Sequence, residues 1–191
     1  MIDWISEIPV EKWHDIIIEK SDDKNKDETF LIQPEYPHER NGYSLIFSKS
    51  TSMAEIRVAQ LSDTGCDYIQ TITVEPYGDS LSLRDASDNN IIAVFSKSVG
   101  SYVFDLGEIT EEEDPFNCGG HELVTGKEEN DRYVFKEFIG VEMCFITDVV
   151  ILHDGGTKFR KLRPFHPTDI LEILVVAFPL LKQVIDDKIV R

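Results

Sequence analysis

One stretch constrains the fold more than any other: TDILEILVVAFPLLKQVI, from Thr168 to Ile185. Pro167, Thr168 and Asp169 form a helix start signal, since a hydroxyl or carboxylate there can accept from the free amides of a first turn. Beyond them the apolar residues occupy every angle of a helical wheel, so no single stripe contains them. A helix of this kind has to be buried on all sides. The run falls short of the roughly 20 apolar residues that cross a bilayer, and Glu172 and Lys182 interrupt it, so protein is the expected surrounding. Pro179 removes a backbone donor and is expected to bend or break the helix near Ala177 and Phe178. A buried strand followed by a short helix is the lesser alternative.

The remainder of the chain supplies material to cover such a helix. Its 191 residues suit a single domain with a sizeable core. Residues 4–20 place Trp4, Ile8, Trp13, Ile16 and Ile17 at spacings that read as a short N-terminal helix started near Pro9, with both tryptophans packed on the domain. Ser21 to Glu28 is a charged linker. The expected division is therefore 1–28, N-terminal helix and linker, and 29–191, one β-rich domain.

From Thr29 the grammar is that of strands. TFLIQPEY, YSLIFSKS, AEIRVAQLS and CDYIQTITVEPY are short apolar or alternating segments separated by turn chemistry. SLSLRDASDNNIIAVFSKS reads as strand, turn, strand, with Asp85 to Asn90 forming the turn. VVILHDGGTKFRKLR repeats this pattern around Asp154-Gly155-Gly156. The fold class expected is mainly β (α+β): an antiparallel sheet, sandwich or barrel with a short N-terminal helix and a hydrophobic C-terminal one.

Charge bears on partners. The net charge is −17, which disfavours nucleic acid and anionic surfaces in general and favours basic partners. The acids are concentrated: residues 101–131 hold ten of them against Lys127 alone, whereas residues 132–191 hold nine bases and eight acids. Glu111, Glu112, Glu113 and Asp114 lie in a loop from Thr110 to Glu122 that is expected to be exposed and mobile, and they are the candidate partner-binding residues. Solvation is the ordinary meaning of such a run, and it lacks the oxygen spacing of a calcium loop. Lys158, Arg160, Lys161 and Arg163 put four cations within six residues. They are the candidate ligands for a phosphate or anionic lipid headgroup, against the plainer reading of a solvated, ion-paired strand. Alternation places Lys158 and Arg160 on one face and Lys161 and Arg163 on the other.

Specific catalytic chemistry has little to stand on. Cys118, Gly119, Gly120, His121 and Glu122 combine a thiol and an imidazole, but the surrounding acids disfavour a thiolate. A metal would need His153 and Asp154 brought close. Gly119-Gly120 and Gly155-Gly156 read as turns. No nucleophile elbow, zincin helix or phosphate loop occurs, so no catalytic residue, metal or cofactor is expected. Three cysteines without ligand spacing, and no basic-then-apolar leader, point to a reducing, cytoplasmic setting.

The hairpins LSLRDASDNNIIAVFSK and ILHDGGTKFRK, the many short antiparallel strands and the apolar helix ending in LLKQVID resemble the tubby-like fold. That fold is shared by tubby C-terminal domains, plant LURP-one-related proteins and phospholipid scramblases. The resemblance spans roughly residues 29 to 188 and implies a closed β-barrel around a hydrophobic helix, acting as a non-enzymatic binding or scaffold module. Scramblases carry an acidic calcium-binding segment before the terminal helix, where this chain has Lys158, Arg160, Lys161 and Arg163. Tubby domains hold phosphoinositide headgroups with basic residues on the barrel, so the resemblance implies an anionic lipid as one partner. An acidic, antitoxin-like module engaging a basic protein is the alternative.

Overall fold

The computed structural model describes residues 3–21, 27–36, 43–62, 64–109, 119–140, 142–166 and 168–189. Among the described residues, twelve strands make one antiparallel sheet that closes on itself: β1 (His14–Lys20), β2 (Glu28–Pro34), β3 (Tyr43–Lys49), β4 (Ala54–Ser62), β5 (Gly65–Tyr77), β6 (Ser80–Asp85), β7 (Ile91–Ser98), β8 (Ser101–Ile109), β9 (Gly119–Thr125), β10 (Arg132–Ile139), β11 (Glu142–His153) and β12 (Lys158–Lys161). Each strand pairs with its neighbours in sequence, and β1 pairs with β12 to close the barrel, with His14 opposite Lys161 and Ile17 opposite Lys158. Period-2 alternation explains why the sheet can curl around a core. On β6 and β7, Leu81 faces Phe95 and Leu83 faces Ala93, and all four are buried. Register shifts between Val58 and Ala59, and at two places on β10, add the local bends that closure needs.

The N-terminal segment departs from the expected helix. After a turn at residues 4–7 and a single 3-10 turn at Val10–Lys12, the chain enters β1. Ile16 and Ile18 are buried while Glu19 and Lys20 are exposed. Three consecutive β-branched residues favour this extended state, and the offered pairing with β2 and β12 decides it. The barrel thus includes residues 14–20, which the sequence had assigned to a preceding helix. Residues 3–13 lie on the outside, where Ile5 and Trp13 join Val134 and Val149 in a small second core, while Trp4 stays exposed.

The turns are largely those expected. Asn89 and Asp154 take up positive φ in the β6–β7 and β11–β12 connections. Gly119 and Gly120, however, open β9 instead of forming a turn. A Cβ on Gly119 would sit 3.0 Å from the Cα of Gly140, so two backbones approach closely there and a larger residue would have to push them apart.

The helix α1 (Ile170–Ile189) follows β12. Asp169 caps it, accepting from the Leu171 amide at 3.0 Å. Ile173 to Phe178, Leu180, Leu181 and Ile185 are buried in the same hydrophobic cluster as the inward residues of the barrel. The Phe178 ring lies edge-on to Tyr102, Tyr133 and Phe135, with centroids 5.5, 5.0 and 5.1 Å away. The break allowed for at Pro179 does not occur: one helix runs through it to Ile189. The burial of residues 172–181 outweighs the single hydrogen bond the proline removes, and the strand-plus-helix alternative falls with it. No helix among the described residues is long and apolar enough to cross a membrane.

Candidate functional site

Strand β12 decides what the basic run can do. Its residues alternate, so Phe159 and Lys161 turn inward while Lys158 and Arg160 turn outward. Outside, Lys158 Nζ meets Glu35 Oε1 at 3.0 Å and Arg160 Nε meets Asp15 Oδ1 at 3.4 Å. The Glu35 carboxylate, by hydrogen bond and by charge, holds the Lys158 ammonium above its usual pKa. Both pairs border a shallow groove of about 310 Å³ that Tyr36 and His153 also line. Its carboxylates Asp15, Glu35 and Asp154 outnumber its two cations. Arg163 follows the end of the strand and is exposed.

Lys161 is a different object. It is 0% exposed, and Nζ reaches Asp148 Oδ2 at 2.7 Å, Glu172 Oε2 at 2.5 Å and the Arg163 carbonyl oxygen. Asp148 Oδ1 in turn accepts from the amides of Val149, Leu162 and Arg163 at 2.8, 2.9 and 3.1 Å. The four cations of the run are thus divided among the outer wall, the interior and the loop after β12, and they do not converge on one ligand.

A second polar centre lies toward the other end of α1. Asp186 accepts from Lys97 at 2.7 Å, Lys182 at 2.8 Å and the Tyr102 hydroxyl at 3.0 Å. Both ammonium groups stand over the Tyr102 ring, 5.6 and 5.7 Å from its centroid. Partial burial works to raise the Asp186 pKa, but the hydrogen bonds from Lys182, Lys97 and Tyr102 outweigh it and hold the carboxyl below its ordinary value. Burial lifts the Tyr102 hydroxyl above its ordinary pKa. At the last turn, Lys188 Nζ donates to the carbonyls of Gly78 and Ser80, beside a rim groove of about 470 Å³ lined in part by Met53, Pro76 and Val184.

The acidic residues Glu111 to Asp114, with Cys118, lie outside the described residues. His121 sits on β9 and its Nε2 contacts Glu137 Oε1 at 2.6 Å. His153 and Asp154 are at the opposite rim of the barrel, where β11 turns into β12, so the fold does not bring them to His121. Among the described residues no group of three or more His, Cys, Asp or Glu side chains is arranged to hold a metal ion.

Asp148 and Asp186 escaped the sequence reading, although half the signal was visible. Glu172 and Lys182 interrupt an otherwise apolar helix, and a charge carried into a core demands a partner. Which strand supplies it cannot be read from spacing. Comparison with known protein families, characterised proteins and solved structures finds no match for this chain.

Proposed function

We propose that the chain is a cytosolic, non-enzymatic binding module of tubby-like architecture whose partner is a basic protein. The barrel reading is supported by twelve strands in sequence order closing at β1 and β12, followed by a helix that shares their core. In this reading α1 fills the barrel. Ile170 follows β12 at one rim, Lys188 reaches the β5–β6 turn at the other, and Phe178 meets rings from β8 and β10 in between.

The choice of partner rests on one observation: Lys158, Arg160 and Lys161 are each already matched by a carboxylate. A phosphate or lipid headgroup would have to displace Glu35 and Asp15 before it gained anything from the outer two cations, and Lys161 is not reachable from solvent. Elsewhere Lys97 and Arg132 on the wall, and Lys182 on α1, are also paired with acids. What remains of the net charge of −17 is negative surface. Such a surface steers a cationic partner and repels an anionic one.

Fluorescence anisotropy with a lysine-rich peptide, and flotation with phosphatidylcholine vesicles carrying a phosphoinositide, test the two partner classes side by side. The expected result is salt-sensitive peptide binding that weakens severalfold in a variant carrying Glu111→Gln, Glu112→Gln, Glu113→Gln and Asp114→Asn, with no flotation. Flotation abolished by Lys158→Glu with Arg160→Glu would overturn the protein-partner reading in favour of the lipid. Peptide binding unchanged by the fourfold neutralisation would remove the acidic segment from the interface.

A further inference from the structure

Where β11, β12 and the first turn of α1 meet, one amine and two carboxyl groups are buried together. Lys161, Asp148 and Glu172 are 0%, 0% and 3% exposed. Taking charges out of water is costly, and a cluster with more carboxylates than amines has an unmatched negative charge unless one carboxyl keeps its proton. Glu172 is the group suited to keep it: burial raises its pKa, with the nearby Asp148 carboxylate pushing the same way and Lys161 opposing. Its second oxygen, Oε1, is buried without a hydrogen-bond partner.

The two oxygens of Asp148 differ sharply. Oδ1 is cradled by three backbone N–H groups, those of Val149, Leu162 and Arg163. Oδ2 has none. It lies 2.7 Å from Lys161 Nζ, yet the pair does not meet in hydrogen-bond geometry. Nζ instead donates to Glu172 Oε2 and to the Arg163 carbonyl. An amine against a carboxyl group, one carboxyl oxygen held in a nest of N–H donors, and a neighbouring acid able to exchange protons with the amine are the parts that amide formation requires.

We propose that Lys161 and Asp148 join in an intramolecular isopeptide bond, with Glu172 as the proton carrier. In the reacting form a proton has passed from Nζ to Oδ2, so that an amine faces a carboxylic acid. Nζ then attacks Cγ of Asp148, and the developing negative charge collects on Oδ1 within its three amides. Glu172, protonated at the outset, gives its proton to Oδ2 and takes one from Nζ, ending as it began. The Cγ–Nζ bond forms, the Cγ–Oδ2 bond breaks, and Oδ2 leaves as water. An ammonium and a carboxylate become an amide and one water, with no change of oxidation state and no further reactant. The water escapes to bulk, and the closed site keeps hydrolysis from reversing the step.

The bond would fasten β11 to β12 beside the strand pair that closes the barrel, and it is independent of the redox conditions that govern cysteine. Intact mass spectrometry of the purified, denatured full-length chain tests it directly. The expected mass is lower than that of the sequence by one water, and trypsin should release a branched peptide joining the segments that contain Asp148 and Lys161. Asp148→Ala and Glu172→Gln should each restore the full mass, the latter with an unchanged circular dichroism spectrum. A wild-type chain of full mass overturns the bond whatever the variants do. A lost water that maps elsewhere overturns it too, and a Glu172→Gln chain linked to the wild-type extent removes Glu172 from the chemistry.

Discussion

The Tyr102 hydroxyl on β8 donates to Asp186 on α1 at 3.0 Å, so a strand of the wall and the later turns of the helix share one carboxylate. Two lysines complete the arrangement, and neither would be comfortable without it: Lys97 and Lys182 are both directed at Asp186 and both stand over the same ring.

Replacing Asp186 with Asn keeps the shape and removes the charge. The two ammonium groups beside Tyr102 then lose their shared counter-ion. A loss of about 1–3 kcal/mol is expected at neutral pH, read from urea denaturation. The pH dependence has a defined sign. Because the folded pKa of Asp186 lies below its ordinary value of 3.8, its contribution is full above that value and disappears as pH falls through the folded pKa. The stability difference between wild type and Asp186→Asn should therefore shrink in acid below about pH 4. A gap that widens there would contradict the assignment.

Phe178→Ala should be among the most damaging single changes. The side chain is fully buried and meets the rings of Phe95, Tyr102, Tyr133 and Phe135. A cost of about 3–5 kcal/mol is expected from the lost contacts and the cavity left behind. Val99→Ala, at a fully exposed position in the β7–β8 turn, is the control and should stay within about 0.5 kcal/mol of wild type. Denaturation midpoints compared at equal slope give both values.

Pro179→Ala should stabilise the protein. Alanine restores the amide that a helix interior lacks at proline, worth about 3 kcal/mol by propensity, while the lost ring methylenes cost about 1–2 kcal/mol of burial. The net expectation is a gain of about 1 kcal/mol, seen as a higher urea midpoint with unchanged slope. A lower midpoint would mean that the proline ring is packed better than its helix position suggests.

Deleting residues 1–27 should destroy the fold and not merely trim it. The deletion removes β1 and leaves β2 and β12 as open edges, with the inward faces of Ile32 and Phe159 uncovered. The expected product is insoluble, or lacks the strand signal in circular dichroism. A soluble, cooperatively unfolding fragment would show that the barrel closes without β1.

The two ends of the chain show what a sequence can and cannot disclose. The helix from Ile170 was legible because an all-round apolar surface has few destinations, and the hairpin around Asp85 to Asn90 because its turn chemistry is local. Ile16 to Ile18 misled for a physical reason. A run of three isoleucines satisfies helical and extended spacing alike, and only the edges of β2 and β12, supplied from distant sequence, settle the matter. The same holds for the charges. Alternation correctly separated Lys158 and Arg160 from Lys161. That one lysine would be sealed inside with Asp148 and Glu172, while its neighbours paired with Glu35 and Asp15, depends on contacts between elements that spacing does not encode.

The pairing of β1 with β12 also sets an order of events during synthesis. Strand β1 must wait, unpaired along one side, until β12 has been made, and the helix that shares the barrel's core comes later still. Every intermediate length of nascent chain thus carries an apolar sheet face with nothing to cover it. Closure of so long a loop comes late and slowly, and during that interval the uncovered face is prone to aggregate.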